Sequence, residues 1–286
     1  MIVPKPHILS IHPTMQCDYH CHGCYLKRDE VDDRKERNIL FFQELIGVAK
    51  RIGMTEVAIP ANYTEEKIDK NFIFYNFLKL ATKLAGMEFT CTANYDFVMR
   101  YVDSCSNLLD DVSLMSVSIN DYSTSTPDKK REALQMLQKI KSKVPTVNCN
   151  VLVTPSMVKT LSSGLMKEIL DRVDTVYLLV EKPLIVPMDT VKGWLTGLEQ
   201  FFDMIDDRVI LDSCLKSAFG LTDGICSKHQ LIYVNPYGDV KKCSYDGATI
   251  FTLQTPDDLE ILYNEKYPQQ QLFDCRLLHY AKEEKK

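Results

Sequence analysis

The stretch Cys17-Asp18-Tyr19-His20-Cys21-His22-Gly23-Cys24 places three thiols within eight residues at C-x3-C-x2-C spacing. Four thiolates would close a 4Fe-4S cluster and leave it able only to pass electrons, whereas three leave one iron open to a ligand. No fourth cysteine lies nearby; the next, Cys91, sits in an apolar, strand-like run. His20 and His22 keep a second reading open, a zinc ion held by three cysteines and one histidine. Structural zinc sites usually pair two C-x2-C-like knuckles, so the spacing favours the cluster.

Immediately upstream, ILSIH at 8–12 reads as a short buried strand, and KRDEVDDRKER at 27–37 reads as a solvated surface. Phe42, Leu45, Ile46 and Ala49 recur at helical spacing, Gly53 closes that helix, and EVAI at 56–59 is the next strand, completing a β-α-β unit. The rhythm continues, with helices at about 65–84, 95–109, 127–143 and 157–172 alternating with strands at 88–92, 114–119, 147–153 and 175–180. Six strands with intervening helices imply right-handed crossovers and a parallel sheet, doubly wound or barrel-like. In either architecture the loops after the carboxyl ends of strands carry chemistry, and the cysteine run occupies the first of them.

Past the sixth strand, Pro183 and Pro187 interrupt the alternation, and Val191, Trp194, Leu195, Leu198, Phe202 and Ile205 form an amphipathic stripe. The texture then changes to a strand at 208–212, an irregular cysteine-bearing stretch and the hairpin signal LIYV-NPYG-DVKKC at 231–243. The expected organisation is a barrel over 1–188, a bridging helix over 189–207 and a smaller α+β domain over 208–286.

Composition narrows the classes. The 286 residues, 45% of them apolar, can bury one substantial core and a small second domain. A net charge of −5 gives no reason to expect a nucleic-acid partner. No apolar run is long enough to span a membrane, and MIVPKPHILSIHPT lacks the layout of a signal peptide, so a cytoplasmic location is expected. In that reducing compartment ten cysteines read as metal-binding or catalytic before they read as disulfides.

The C-x3-C-x2-C run after the first strand resembles the defining motif of the radical S-adenosylmethionine (radical SAM) superfamily. The resemblance implies an α/β partial (β/α)6 TIM-like barrel and a 4Fe-4S cluster on Cys17, Cys21 and Cys24, whose open iron chelates the amine and carboxylate of S-adenosylmethionine. One-electron reduction would then cleave the sulfonium to a 5'-deoxyadenosyl radical that abstracts a substrate hydrogen; the cofactor carries the hard step, and no side chain is assigned as catalytic. The family usually places an aromatic residue just before the third cysteine. Here Gly23 stands there and Tyr25 follows, so Tyr25 becomes the candidate adenine contact.

The family's second strand ends in a Gly-Gly-Glu segment that receives the methionine amine. Here it ends Ile59-Pro60-Ala61-Asn62, which puts Asn62, an uncharged acceptor, in the place of the glutamate. The alternative is that Asn62 only makes a turn. Period-two alternation puts Ser116, Ser118 and Asn120 on one face of their strand, and Asn148 and Asn150 together on the next. Ser118 and Asn150 resemble family positions that contact the cofactor; packing against helices with locally satisfied polar atoms is the competing reading. Cys91, Cys105 and Cys149 are read as small hydrophobes, two in strands and one in a helix.

Cys226, Gly238 and Cys243 form a C-x11-G-x4-C arrangement that resembles the opening of the auxiliary-cluster domains called SPASM and twitch. Asn235-Pro236-Tyr237-Gly238 would make the hairpin turn, with glycine free to take positive φ, and the returning strand would bring Cys243 back towards Cys226. With Cys214 upstream and Cys275 downstream there are four thiolates, the number one auxiliary 4Fe-4S cluster needs. A stray set of cysteines in a small α+β appendage and a four-cysteine zinc site are the alternatives. Only Cys275 remains of the later cysteine-rich run, so the shorter twitch form is the better match.

The resemblance therefore implies a radical SAM enzyme acting on a peptide or small-molecule substrate, peptide modification being the leading reading, with a flavodoxin- or ferredoxin-type reductant. Because the barrel starts almost at residue 1, no fused leader-peptide recognition domain is expected, and a peptide would be bound directly or through a separate partner. The rival readings are a glycyl-radical enzyme activase, suggested by the Gly23-Cys24-Tyr25 order, and a non-catalytic zinc-binding module.

Overall fold

A computed structural model describes residues 5–18, 33–179, 188–196, 208–212, 230–241 and 249–266. The chain divides into two compact units: Met1–Thr92 with Asp111–Ser113 and Ser227–Asp274, and Ala93–Asp110 with Leu114–Cys226 and Cys275–Lys286.

The first unit is built on β1 (Ile8–Ile11), α1 (Ile39–Arg51), β2 (Glu56–Ala61), α2 (Lys70–Leu84) and most of β3 (Glu88–Asn94). From the far end of the chain come β8 (Leu231–Val234), β9 (Asp239–Lys241) and β10 (Thr249–Thr252). Its strand order is β10-β9-β8-β1-β2-β3. β1 lies parallel to both neighbours, Leu9 pairing with Val57 on β2 and with Ile232 on β8. Paired positions share a face, and Leu9, Ile11, Val57, Ile59, Ile232 and Val234 are fully buried. α1 and α2 pack with Phe42, Leu45, Tyr75 and Leu78 buried, and Tyr75 meets Phe89 edge-on at 5.5 Å. Each such side chain stabilises the unit by about 1.5–3 kcal/mol through removal from water.

The second unit contains α3 (Tyr95–Tyr101), β4 (Leu114–Ile119), α4 (Pro127–Lys141), β5 (Thr146–Leu152), α5 (Pro155–Thr160), α6 (Met166–Leu170), β6 (Thr175–Leu179), α7 (Met188–Thr196) and β7 (Val209–Leu211). Strands β4 to β7 are parallel and adjacent in that order. Helix starts follow local chemistry. Thr126 and Thr154 accept hydrogen bonds from the backbone amides of Lys129 and Met157, and each is followed by a proline at the first helical position.

Other boundaries shift by one or two residues, but three expected helices differ more. The helix foreseen at 65–84 begins only at Lys70, because buried Asp69 caps it by accepting from the Phe72 amide. The helix foreseen at 95–109 ends at Tyr101, so Cys105 lies in a turn outside any helix, its thiol donating to Asn107 Oδ1 at 2.9 Å. The helix foreseen at 157–172 is two short helices joined by a π-turn at Leu161–Leu165, where Gly164 adopts φ +115°. The second half of the stripe expected up to Ile205 lies outside the described residues. β7 runs beside β6, and β8 runs beside β1.

Candidate cofactor site

β1 delivers the chain to His12, whose amide extends the ladder by donating to the Val234 carbonyl at 2.8 Å, and the loop that follows carries Cys17. Both chain neighbours of Cys17 are tied to the segment after β2. The Asp18 amide donates to the Tyr63 carbonyl at 3.0 Å, and its carboxylate accepts from Thr64 Oγ1 and the Glu65 amide. Asn71 Nδ2 donates to the Gln16 carbonyl at 2.9 Å. Cys17, which is half-buried, is thereby held beside the residues that immediately follow Asn62.

The far end of the loop is anchored too. Glu36 accepts from Thr14 Oγ1 at 3.1 Å and from the Met15 amide at 2.6 Å, so the loop is closed at its base. Arg34 makes a two-point ion pair with Asp239 at 2.9 and 2.7 Å and stacks over the Tyr237 ring, while Arg37 donates to the Leu253 carbonyl. Burial alone would raise the Asp239 carboxyl; hydrogen bonds from Arg34, Thr252 and Asn235 outweigh it and hold the group below the usual carboxylate range.

The turn that presents Asp239 is the one read from NPYG. Asn235 Oδ1 accepts from the amides of Tyr237 and Asp239, and Gly238 sits at φ +85°. A Cβ at Gly238 would approach the Leu253 carbonyl to 2.9 Å, so the glycine serves both the turn and this close contact.

Asn62 follows β2 on the face that carries Ala58 and Pro60, and it meets His12 across the strand pair. Its Nδ2 lies 3.2 Å from His12 Nε2, while Tyr233 Oη lies 3.2 Å from His12 Nδ1. Burial, with help from the Lys241 charge, lowers the His12 pKa to about 3. The sequence reading gave His12 no role.

The lowered value predicts an acid lability with a definite sign. Below pH 6.5 the unfolded chain takes up a proton that folded His12 refuses until about pH 3. The contribution is therefore fully present above the unfolded value and is lost as pH falls, at about 1.4 kcal/mol per unit. Urea unfolding at pH 7 and pH 5 should show a loss about 2 kcal/mol smaller in His12→Phe than in the parent. Equal losses would mean that folded His12 accepts the proton.

In the second unit, Ser118 on β4 and Asn150 on β5 are direct cross-strand partners, followed by Tyr177 on β6. They alternate with the fully buried Val117, Ile119, Cys149 and Val151. Both are half-buried, and neither side chain has a hydrogen-bond partner among the described residues. Asn120, expected on the same face, instead closes a turn with Ser123. Cys91 and Cys149 are buried strand residues; burial pushes the Cys149 thiol up to about 12 and raises that of Cys91 further, which makes both inert.

Cys21, Cys24 and Tyr25, together with Cys214, Cys226, Cys243 and Cys275, lie outside the described residues. Among the described residues no group of three candidate metal ligands occurs, and no helix is long and apolar enough to cross a membrane. One observation bears on fit. Gln16 Oε1, next to Cys17, is a buried acceptor with no partner among the described residues. A polar ligand beside Cys17 would satisfy that orphaned oxygen, and to that extent the residues present fit an S-adenosylmethionine site.

No protein-family model matches the chain, and no curated protein matches it in sequence. Solved structures do. Streptococcus suis SuiB bound to S-adenosylmethionine aligns at a TM-score of 0.65 and 15% identity, over 96% of this chain and 71% of SuiB. SuiB bound to precursor peptide SuiA aligns at 0.62 and 15%, over 93% and 66%. Native anSMEcpe with bound AdoMet and Cp18Cys peptide aligns at 0.62 and 13%, over 93% and 82%. The chain therefore has the fold of these S-adenosylmethionine-bound proteins, the α/β partial (β/α)6 barrel that the cysteine motif had led us to expect.

Proposed function

We propose that this chain is a radical SAM enzyme. The observation that carries the reading is the placement of Cys17, the first cysteine of C-x3-C-x2-C, in a loop closed at its base and pinned beside the end of β2, within a fold shared with S-adenosylmethionine-bound proteins. Cys17, Cys21 and Cys24 would hold the 4Fe-4S cluster. Asn62 and the Gln16 amide would receive polar groups of S-adenosylmethionine, Ser118 and Asn150 would face its ribose or carboxylate, and Tyr25 its adenine. When bound, the cluster would supply the reducing electron for one-electron chemistry on S-adenosylmethionine. The chain's own part is to hold the cofactor, orient it and keep water away.

The proposed substrate is a peptide. SuiB was solved with precursor peptide SuiA and anSMEcpe with the Cp18Cys peptide, which supports that reading. We further propose a flavodoxin- or ferredoxin-type reductant, a cytoplasmic location, and a barrel over 1–188 bridged by 189–207 to a twitch-like domain over 208–286. In that domain Cys214, Cys226, Cys243 and Cys275 would hold an auxiliary 4Fe-4S cluster. β9 ends at Lys241 and so carries the chain to within two residues of Cys243.

The test is anaerobic reconstitution, reduction with dithionite in the presence of S-adenosylmethionine, and chromatography for 5'-deoxyadenosine. Slow release without substrate is expected. Protein that contains only zinc, or that leaves the cofactor intact after reduction, overturns the proposal.

A further inference from the structure

Asparagine is an ambiguous receptor for a cation. Its two amide ends have nearly the same shape, yet one accepts and the other offers two donors, so a flipped Asn62 would present N–H groups to an ammonium. Something must decide which end faces the ligand. The Asn62 Nδ2 group lies 3.2 Å from His12 Nε2, and an amide nitrogen can only donate, so Nε2 must be the acceptor. A neutral ring with its lone pair on Nε2 carries its proton on Nδ1, which then donates to Tyr233 Oη at 3.2 Å.

Packing holds the ring between its two partners, and its tautomer then sets the direction of both hydrogen bonds. His12 is 1% exposed and Tyr233 5%, and the two strands are registered by the pairing of Ser10 with Tyr233 and by the His12 amide bond to Val234. The imidazole must also stay uncharged to act as an acceptor. Burial and the nearby Lys241, the β9 partner of Tyr233, both disfavour the cation.

We infer that His12 is a positioning residue for cofactor recognition: set between Tyr233 and Asn62, it commits the Asn62 amide nitrogen and so reserves the amide oxygen for the ammonium group of S-adenosylmethionine. The inference rests on the radical SAM reading. It adds that a strand supplied by the C-terminal part of the chain sets the polarity of a contact made at the end of β2.

Two measurements test it. In the full-length chain without cofactor, labelled with ¹⁵N-histidine, the His12 resonance is identified by its loss in His12→Phe and should report a proton on Nδ1. A proton on Nε2 would mean that the amide is turned the other way and would overturn the inference. The second measurement is equilibrium binding of S-adenosylmethionine to anaerobically reconstituted protein. Asn62→Ala and His12→Phe should each weaken binding by about tenfold, the scale of one hydrogen bond to a charged group. The double variant should also be weakened by about tenfold, since both changes remove the same contact, whereas two independent defects would multiply to about a hundredfold.

A His12→Phe protein that binds like the parent, or a multiplicative double variant, sinks the inference while the radical SAM reading stands. If the parent itself fails to bind S-adenosylmethionine, both fall. Should His12→Phe not fold, Tyr233→Phe replaces it: removing the hydroxyl that accepts from Nδ1 should weaken binding by about threefold or more, and unchanged affinity would be decisive against the inference.

Discussion

The Cys17→Ala/Cys21→Ala/Cys24→Ala variant is expected to lose all 5'-deoxyadenosine formation and to fall from about eight bound irons per chain to about four. Both numbers follow from one premise, that three thiolates hold a cluster with an open iron and a separate set holds a closed one. Cys17 lies in a loop whose two ends are tied to the protein by Glu36, Arg34 and Asp18, contacts that none of the three substitutions removes. The fold should therefore survive, and circular dichroism should match the parent. Iron analysis beside a reductive cleavage assay makes the measurement. Retention of the full iron content, or of any cofactor cleavage, would rule the cysteine run out as the site.

Removing Cys226 and Cys243 should have the opposite profile. Iron should again fall to about four, and conversion of substrate should stop, yet some uncoupled 5'-deoxyadenosine should still form because the first cluster is intact. The proviso is that the hairpin still folds. Its turn is held by Asn235, Gly238 and the Arg34–Asp239 pair, all upstream of Cys243, so the proviso is reasonable and absorbance of the remaining cluster checks it. A folded double variant with normal turnover would return the C-terminal cysteines to a structural role.

Where local chemistry decides, the sequence was enough to read the fold. The strand over 114–119 was placed to the residue because alternation and its flanking turn residues leave little choice, and the NPYG turn was found because asparagine and glycine each have a specific task there. The errors arise where spacing mimics a helix. Leu108 and Leu109 sit at a helix-like interval from Val98 and Val102, but they are buried by turns that follow α3, and Asp111 takes a positive φ. Gly164 was visible in the sequence as an interruption and was passed over.

Cys17, Asn62, Ser118 and Asn150 could be singled out from the sequence because their residue types carry the chemistry; the structure sets Asn62 against His12 and leaves the Ser118 and Asn150 side chains without a hydrogen-bond partner among the described residues. His12 could not be, because its meaning depends on Tyr233, 221 residues away, and on a pairing of β1 with β8 that no local pattern announces. Glu36 and Arg34 escaped for a related reason. They fall in a charge run whose usual meaning is solvated surface, and here at least two of its members are anchors.

The pairing of β1 with β8 also bears on how the protein matures. The cysteine run is synthesised well before the strand beside it and the aspartate that clamps its loop, 205 residues beyond Arg34. At about 5–20 residues per second, roughly 10–40 s separate the synthesis of Arg34 from that of Asp239. Throughout that interval the strand and the aspartate that tie down the Cys17 loop are missing, so the loop cannot close through the Arg34–Asp239 pair. Loading of the proposed cluster should therefore follow synthesis of β8 and β9, and truncated or stalled products that lack them should accumulate without iron even in cells rich in cluster-assembly machinery.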